Sequence, residues 1–233
     1  MNKPAVMLPT YNEADNIREM IAGIRRVAPE ATVLVVDDDS PDGTWRIVEE
    51  MARDDGRVRM LHREENRGRG YAGTAGFRWC VAHGFDPIIE MDADFSHDPA
   101  HIPELIAQAE NHDIVIGSRA VGGGGESGRG VLRRMVTAGA RFYLRTFLGL
   151  WKVKDVTSGY RCFRRHVLES IRLDTLRSPG PGIVTEVLFR CRRFDIVEIP
   201  IRFRDREKGA SKFGLKAMLE SLLLALKLRL RGK

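Results

Sequence analysis

The sequence predicts an α/β protein in which a mainly parallel central sheet is flanked by helices. Two observations carry this prediction. Short β-branched runs alternate with amphipathic stretches through residues 1–118, and acidic or polar segments directly follow three of these runs. Such alternation is typical of parallel sheets, because crossover helices join parallel strands. With 43% hydrophobic and 30% charged residues in a chain of 233, the composition is that of a folded domain and excludes a disordered or disulfide-dense chain.

The elements of the first half follow in order from these periodicities. Strands are predicted over residues 5–8, 32–36, 58–61, 87–91 and 114–116. Helices are predicted over residues 13–27, 44–53, 71–82 and 101–110. The first of these helices should pack on the sheet, because it carries large apolar residues on one face, namely Ile17, Met20, Ile21 and Ile24.

The pattern changes after Arg119. Residues 121–130 contain six glycines, which predicts a mobile loop. The remaining predicted elements are a basic amphipathic helix over residues 132–148, a turn and strand over 155–163, a helix over 183–194, a strand over 196–203 and a closing helix over 215–230. Because no repeat and no Pro- or Ser-rich linker interrupts the chain, we expect one domain over residues 1–233.

The net charge of +6 is distributed unevenly along the chain. Residues 1–118 hold 12 Lys and Arg against 22 Asp and Glu, whereas residues 119–233 hold 26 against 10. This polarisation indicates an acidic half that can hold a cation and a basic half that faces a phosphorylated substrate, a lipid surface or nucleic acid. Nucleic acid is disfavoured, because the first half is acidic and only 7% of the residues are aromatic and available for base stacking.

Neither a membrane span nor a secretory signal is predicted. No apolar run approaches the roughly 20 residues that cross a bilayer, and the first residues lack the apolar core and cleavage site of a signal peptide. Cys80, Cys162 and Cys191 are odd in number and far apart, which predicts buried, reduced thiols in a cytoplasmic protein. The leucine stripe and basic end of the closing helix fit two placements: packing on the sheet, or lying in a membrane interface.

Asp92-Ala93-Asp94 is the sharpest chemical feature of the sequence. It places two carboxylates two positions apart where the chain leaves a predicted strand, so that both can converge on one cation. Oxygen ligands of this kind suit Mg²⁺ or Mn²⁺, with diphosphate oxygens and water completing an octahedron. A solvated turn is the alternative for this motif taken alone.

A second acidic cluster, Asp37-Asp38-Asp39, ends another predicted strand. Ser40 or Asp42 would cap the helix that follows, which is the structural interpretation of this segment. Successive carboxylates repel each other, however, and a site that binds a base, a ribose or a cation would explain them. We expect Asp38 to contact the base.

Six short motifs occur in order over almost the whole chain: residues 8–13 (LPTYNE), 36–44 (VDDDSPDGT), 91–97 (MDADFSH), 117–119 (GSR), 157–161 (TSGYR) and 209–212 (GASK). This series resembles the family 2 glycosyltransferases of the GT-A fold, in particular the dolichol-phosphate and polyprenol-phosphate mannose synthases. The resemblance implies a nucleotide-sugar donor, most specifically GDP-mannose, a divalent metal, and inverting transfer of the sugar to dolichyl or polyprenyl phosphate.

The resemblance also implies which part of the domain binds each substrate and where in the cell the protein works. Residues 1–118 would bind the nucleotide, residues 119–214 the acceptor, and residues 215–233 would form the C-terminal amphipathic helix. We expect a peripheral protein at the cytoplasmic face of a membrane, because a polyprenyl acceptor must be collected from a bilayer. Three alternatives stay open: another donor such as UDP-glucose or UDP-GlcNAc, a hydroxyl acceptor, or a basic membrane- or nucleic-acid-binding module without catalysis.

Carried over by position, the motifs imply a set of site residues. The nucleotide pocket would be lined by Pro9, Tyr11, Glu13, Val36 and Asp38. Asp92 and Asp94 would bridge metal and diphosphate, and Ala93 would lie against the ribose. Ser96 stands where such enzymes sometimes place a metal-binding amide, and it would be a third, weaker ligand of the metal. The acceptor phosphate or the donor diphosphate would be held by four basic residues, Arg119, Arg133, Arg206 and Lys212.

The chemistry of the reaction agrees with this assignment. Breaking a sugar–diphosphate bond requires that the charge of the leaving group be neutralised, which a cation at Asp92 and Asp94 would do. A hydroxyl acceptor would need a general base, whereas a phosphate monoester, with a second pKa of about 6, is already a dianionic nucleophile at pH 7. Arginine suits forked recognition of phosphate, and the glycine-rich segment could close over the acceptor and exclude water.

Three further features favour structural roles. His97 and His101 have a spacing that can bind zinc, but without nearby Cys or His they are more typical of a helix cap and a surface residue. Gly68-Arg69-Gly70 lacks the spacing of a dinucleotide fingerprint and predicts a flexible loop on the donor side. Glu186 is one carboxylate on a predicted helix, for which a structural role is more typical than acid–base catalysis.

Overall fold

The computed structural model describes residues 3–127, 131–204, 223 and 225–229, without the side chains of residues 131–134 and 136. The strands are β1 (Ala5–Thr10), β2 (Thr32–Asp37), β3 (Val58–His62), β4 (Ile88–Glu90), β5 (Ile114–Ser118), β6 (Gly125–Ser127), β7 (Arg161–Phe163), β8 (Ile196–Pro200) and β9 (Arg202–Arg204). The helices are α1 (Ala14–Val27), α2 (Thr44–Asp54), α3 (Arg69–Ala82), α4 (Ile102–Gln108), α5 (Val131–Leu148), α6 (Arg165–Ser170) and α7 (Ile183–Arg190).

Seven of these strands form one sheet in the order β3-β2-β1-β4-β7-β5-β8. Its pairings are parallel except that β7 runs antiparallel between β4 and β5. Thr10, the last residue of β1, pairs with Asp37, the last residue of β2, and β4 runs parallel to β1 on its other side. The polar segments that follow these three strands therefore meet at one edge of the sheet, and the predicted α/β class is confirmed.

Helices cover both faces of the sheet. Along β1, Val6 and Leu8 are buried in one apolar cluster, together with residues of α1 and α4. Met7 is buried in the other cluster, on the opposite face, with residues of α3, α5 and α7. Successive side chains of a strand point to opposite faces, so the continuous apolar run of β1 is explained by burial on both sides.

The second half differs from its predicted elements in four places. The predicted helix over residues 183–194 ends at Arg190, and α6 was not predicted. The predicted strand over 196–203 is two strands, because Ile201 interrupts it by donating its N–H to Ser118 O (3.0 Å) and accepting from Gly125 N (3.0 Å). The loop predicted over 121–130 contains β6, which pairs in parallel with β9 in a separate two-stranded sheet, so residues 125–127 are a strand rather than a mobile loop.

The described part of the predicted closing helix, residues 223 and 225–229, is helical. Ala225 is fully buried and Leu228 packs on the cluster that includes Leu144 of α5. Leu223 and Leu226 are 57% and 43% exposed. This segment therefore packs on the protein with one side and faces outward with the other. Nowhere in the part of the chain that the structure describes is there a helix with the length and apolar character of a membrane span.

All three cysteines are buried and unpaired, as predicted. Burial raises the pKa of both the Cys80 and the Cys191 thiol to about 12. Thiols with such pKa values stay protonated and unreactive near neutral pH, which is consistent with a packing role.

Candidate active site

The carboxyl edge of the sheet is built from three sharp turns. Asn12 after β1, Asp39 after β2 and Phe95 after β4 all have positive φ angles, of 60°, 55° and 60°. Non-glycine residues rarely adopt this left-handed conformation, and where they do it commonly marks a functional segment. The three turns place residues 10–13, 37–40 and 92–97 at the same edge of the sheet, where the sequence predicted them.

Asp37 connects the turns after β1 and β2 through hydrogen bonds. Its fully buried carboxylate accepts hydrogen bonds from Thr10 Oγ1 (2.7 Å), Ser40 N (2.8 Å) and Ser40 Oγ (2.7 Å). Ser40 Oγ in turn accepts from Asn12 N at 2.9 Å. Asp37 therefore has a structural role. Its hydrogen bonds stabilise the turn after β2 and hold the ends of β1 and β2 in register.

Asp38 and Asp39 bind the segment that follows β3. Asp38 is 4% exposed, forms an ion pair with Arg63 and accepts a hydrogen bond from Gly68 N at 2.6 Å. Burial raises the pKa of Asp38, against the opposing effects of Gly68 N–H and the Arg63 charge. Asp39 pairs with Arg67. The charge repulsion within the acidic cluster is thus offset by arginines from one neighbouring segment.

A cavity of about 340 Å³ opens beside the turns after β1 and β2. It is lined by Tyr11, Asp39, Ser40, Pro41, Asp42, Gly43, Trp45, Arg46 and Arg67. Of the five residues predicted to line the nucleotide pocket, Tyr11 borders this cavity and is 39% exposed. Pro9 and Val36 are buried within β1 and β2, and Glu13 is 8% exposed with its carboxylate accepting from Asn16 Nδ2 at 2.9 Å.

The paired acids after β4 have different surroundings. Asp94 is 8% exposed, and its Oδ1 accepts from Ser96 N (3.1 Å) and Ser96 Oγ (2.6 Å). The Asp92 side chain is 34% exposed. Ala93 between them is buried. The Ser96 hydroxyl donates a hydrogen bond to Asp94 and thereby orients that carboxylate. Asp92 is the more accessible member of the pair.

Arg69 lies beside Asp92 and was not predicted as a site residue. Its Nη1 donates to Glu90 Oε1 at 2.8 Å, and its Nη2 lies 3.5 Å from Asp92 Oδ1. Burial disfavours the charge of this guanidinium, but Glu90 and Asp92 outweigh that effect and raise the Arg69 pKa. Arg69 therefore stays charged and connects the buried Glu90 of β4 to the first of the paired acids.

The segment around Arg69 is held in place by contacts with a neighbouring backbone segment. The prediction of a flexible loop at Gly68-Arg69-Gly70 is therefore wrong. Gly70 N donates to Pro179 O at 2.9 Å, and a Cβ on Gly70 would overlap the carbonyl oxygen of Ser178. Gly68 has a φ of 141°, which L side chains rarely adopt. Glycine at both positions thus allows two backbone segments to touch, and that contact sets the position of Arg69.

Glu186 holds the other side of this contact. Its buried carboxylate accepts from Ser178 N (3.0 Å) and Ser178 Oγ (2.6 Å), and Arg190 Nη2 donates to it at 2.9 Å. The structural role predicted for Glu186 is therefore confirmed.

His97 supports the backbone of Asp92. The N–H of Asp92 donates to His97 Nδ1 at 3.0 Å, so this nitrogen accepts and the neutral ring carries its proton on Nε2. The ring is 2% exposed and stacks on Tyr160 at 5.0 Å, and burial lowers the His97 pKa. His97 is thus neither the helix cap nor the surface residue that the sequence predicted.

Arg119 is held by a buried acid. Its Nε and Nη2 donate to Asp155 Oδ2 (2.7 Å) and Oδ1 (2.8 Å), and Nη2 also donates to Thr157 Oγ1 at 2.9 Å. Arg141 of α5 lies nearby, with Nη1 3.9 Å from Asp155 Oδ2 and 3.8 Å from Glu126 Oε1. The structure therefore places Arg119 and Arg141 side by side, although the sequence singled out only the first as a site residue.

The other predicted basic residues lie wholly or partly beyond the described residues. Arg206 and Lys212 are outside them, and Arg133 lies in α5 with a side chain that is not described. Their contacts with phosphate remain predictions.

With this geometry in place, comparison with known proteins identifies the family. The model of the family named Glycosyl transferase family 2 matches residues 5–172. The chain belongs to this family, which confirms the resemblance of the six motifs and the prediction of a glycosyltransferase.

Two curated relatives match nearly the whole chain. Undecaprenyl-phosphate mannosyltransferase of Micrococcus luteus is 42% identical over 208 residues, which cover 88% of this chain and 85% of that protein. Polyprenol monophosphomannose synthase of Mycolicibacterium smegmatis is 37% identical over 232 residues, which cover 98% of this chain and 87% of that protein.

Solved structures agree on the fold. Glucosyl-3-phosphoglycerate synthase of Mycobacterium tuberculosis, in complex with Mn²⁺, UDP-glucose and glycerol 3-phosphate, has a TM-score of 0.69 at 22% identity, with 98% of this chain and 80% of that chain covered. At this level of identity the likeness concerns the fold, and it confirms the GT-A architecture.

Proposed function

We propose that the protein transfers mannose, with inversion, from GDP-mannose to a polyprenyl or dolichyl phosphate. The observation that carries this proposal is the pair Asp92 and Asp94 at the carboxyl edge of the sheet, where open α/β sheets bind their ligands. The mannosyltransferase names of relatives at 42% and 37% identity support the sugar and the lipid phosphate.

The donor set at this edge fits Mg²⁺ or Mn²⁺. Asp92 and Asp94 offer carboxylate oxygens, the ligands that these hard cations prefer, and Ser96 holds one oxygen of Asp94 in place. When bound, the cation would neutralise charge that develops on the departing diphosphate. Arg69 forms an ion pair with Glu90 and also lies beside Asp92. Asp92 is thus oriented by Arg69, whereas Asp94 is oriented by Ser96.

For the nucleotide, we assign the cavity bordered by Tyr11. Its aromatic ring is exposed at the wall of that cavity, where a base can stack. Arg46 on the same wall would add positive charge for the donor, whereas the charge of Arg67 is paired with Asp39. Pro9 of β1 and Val36 of β2, together with Glu13 and Asp38 in the segments that follow these strands, would support the pocket from below, and Ala93 would lie against the ribose.

For the acceptor, we assign the basic side of the site. A phosphate monoester is already a dianion at pH 7 and needs no general base. Arg119 donates to Asp155 through Nε and Nη2, and Arg119, Arg133, Arg206 and Lys212 would together supply the positive charge that holds the acceptor phosphate or the donor diphosphate. Because a polyprenyl acceptor resides in a bilayer, the protein would work as a peripheral protein at the cytoplasmic face of a membrane.

The test is a donor and metal panel with purified protein. Transfer to polyprenyl phosphate is measured with GDP-mannose, UDP-glucose or UDP-GlcNAc, each with Mg²⁺, Mn²⁺ or a chelator, and thermal shifts report binding. We expect GDP-mannose and a divalent cation to be required. Asp92→Asn and Asp94→Asn should lose transfer while keeping their melting temperatures, and the exposed Asp54→Asn serves as the control. Near-normal transfer by either site variant would refute the metal role, and preference for a UDP-sugar would refute the donor.

A further inference from the structure

Two arginines and two acids form a largely buried cluster next to the candidate active site. We call this cluster the arginine pocket: Arg119, Arg141, Asp155 and Glu126. Asp155 binds Arg119 through two hydrogen bonds. Glu126 Oε1 lies 3.6 Å from Arg119 Nε and 3.8 Å from Arg141 Nη1. Toward these two arginines, Glu126 therefore acts through its charge rather than through hydrogen bonds.

Arg141 brings a buried donor to this pocket. Its Nη1 is buried and has no hydrogen-bond partner among the residues that the structure describes. Asp155 Oδ2 lies 3.9 Å away and already accepts from the backbone N–H and the Nε of Arg119. A buried N–H group without an acceptor costs free energy, and such groups are rare in folded proteins. An anion with more oxygens than a carboxylate would supply the acceptor that Arg141 lacks.

Glu126 enters the arginine pocket from β6. This strand pairs with β9 over three residues, and Gly125 N donates to Ile201 O at 3.0 Å. Just before it, Gly124 lies so close to the end of β5 that an added Cβ would be 2.5 Å from Ser118 O. The backbone thus places the Glu126 carboxylate between the two arginines, which shows that the pocket accommodates an anionic group.

The Phe203 ring connects the arginine pocket to the paired acids. The Arg119 guanidinium carbon lies 5.1 Å from the centroid of this ring, and the His97 ring meets it edge to face at 5.7 Å. His97 in turn accepts a hydrogen bond from the backbone N–H of Asp92. An anion held in the pocket would therefore lie close to the diphosphate and sugar of a donor bound at Asp92.

We propose that Arg141, together with Arg119, binds the acceptor phosphate in the place that the Glu126 carboxylate occupies. The arriving phosphate displaces the carboxylate and gives Arg141 Nη1 its acceptor, a contact that suits the planar guanidinium. Because a phosphate monoester carries up to two negative charges at pH 7, it interacts with the arginines more strongly than the carboxylate does. The inference rests on the proposed function, since it takes the acceptor to be a phosphate monoester.

Acceptor kinetics with the full chain test this assignment. Transfer from GDP-mannose is measured at saturating metal against the concentration of a short, water-soluble isoprenyl phosphate. Arg141→Gln should raise the acceptor KM about tenfold, because a charge-assisted hydrogen bond is lost, and should leave the donor KM unchanged. Glu126→Gln should lower the acceptor KM about threefold, because a neutral amide competes less with the phosphate. Arg165→Gln, from an exposed pair with Glu169, is the control.

The opposite signs of the two effects distinguish binding from a structural role. If Arg141 and Glu126 served the fold alone, both variants would weaken acceptor binding and lower the melting temperature. An unchanged acceptor KM in Arg141→Gln, or a raised donor KM in its place, would overturn the proposal, as would a raised acceptor KM in Glu126→Gln. If Arg141→Gln melts early, Arg141→Lys replaces it and should raise the acceptor KM about threefold, because lysine keeps the charge without the planar fork.

Binding without turnover separates this inference from the proposed function. The isoprenyl phosphate is added without donor, and the shift in melting temperature is compared with that produced by the uncharged isoprenol. The phosphate should stabilise the wild type, stabilise Glu126→Gln more, and leave Arg141→Gln unshifted. If this order is found but the wild type transfers no sugar, the proposed function is wrong and the anion site stands. If transfer is normal but all three proteins shift equally, the anion site is wrong and the function stands.

Discussion

Arg119 and Asp155 form a buried, two-pronged ion pair that joins the end of β5 to the turn before β7. The two hydrogen bonds measure 2.7 and 2.8 Å, and the backbone N–H of Arg119 donates to the same carboxylate at 3.1 Å. Asp155 is fully buried. Burial alone would raise its pKa, but the hydrogen bonds and charge of Arg119 outweigh burial and lower the Asp155 pKa to about 2.

Breaking this pair should destabilise the fold. Asp155→Asn removes the buried carboxylate that accepts two hydrogen bonds from the Arg119 guanidinium and leaves Glu126, with Oε1 3.6 Å from Arg119 Nε, as a more distant acid. We expect a loss of about 3 kcal/mol in the free energy of unfolding, at the lower end of the range for a broken buried pair. Urea denaturation at pH 7 measures it. Glu50→Gln, which removes one partner of the exposed pair with Arg18, is the control and should cost about 0.5 kcal/mol or less. Similar losses for both variants would contradict the prediction.

The same pair predicts a pH dependence. The pKa of Asp155 is about 2 in the folded protein against 3.8 as the ordinary value. Since the folded pKa is depressed, the stabilisation is fully present above pH 3.8 and is lost as the pH falls from 3.8 towards 2. We expect the difference in unfolding free energy between wild type and Asp155→Asn to shrink by roughly 2.5 kcal/mol in total, of which about 1.7 kcal/mol is lost between pH 3.8 and pH 2. A difference that does not change with pH would show that Asp155 is not held ionised by Arg119.

Arg69 should matter for transfer through the position of Asp92. Arg69→Lys keeps the charge but cannot reach Glu90 and Asp92 with two separate nitrogens. We expect transfer to fall about tenfold, as for other residues that orient a metal ligand, and the half-saturating Mg²⁺ or Mn²⁺ concentration to rise. Arg18→Lys on the surface is the control. A lower rate with an unchanged metal requirement would place Arg69 outside the metal site.

Two glycines with different surroundings give a matched pair of substitutions. Gly70→Ala forces a methyl group into the backbone of Ser178, so we expect a loss of about 1–3 kcal/mol in unfolding free energy, together with reduced transfer. Gly56 has no atom within 4 Å of an added Cβ, and Gly56→Ala should be neutral or slightly stabilising. Chemical denaturation of both variants measures the contrast, and equal stabilities would show that the contact between the two segments can relax.

The sequence by itself determined the class of the fold and the location of the chemistry. Each strand of the first half is a short apolar run, and the acids at residues 37–39 and 92–94 follow such runs directly, so local periodicity was enough to place them at one edge of the sheet. The motif order then identified the family. These features could be predicted because they depend on neighbours in the chain and on the regular geometry of parallel sheets.

Tertiary structure decided which side chain each functional residue meets. Arg119 is bound by Asp155, which is 36 positions away, and Arg69 stands beside Asp92 because two glycines let its backbone touch residues 178 and 179. Among the described residues of the closing helix, Ala225 is buried and Leu228 packs on the core, whereas Leu223 and Leu226 lie on the surface. Contacts between distant segments depend on how whole elements fit together, and the periodicity of one segment carries no information about its partner.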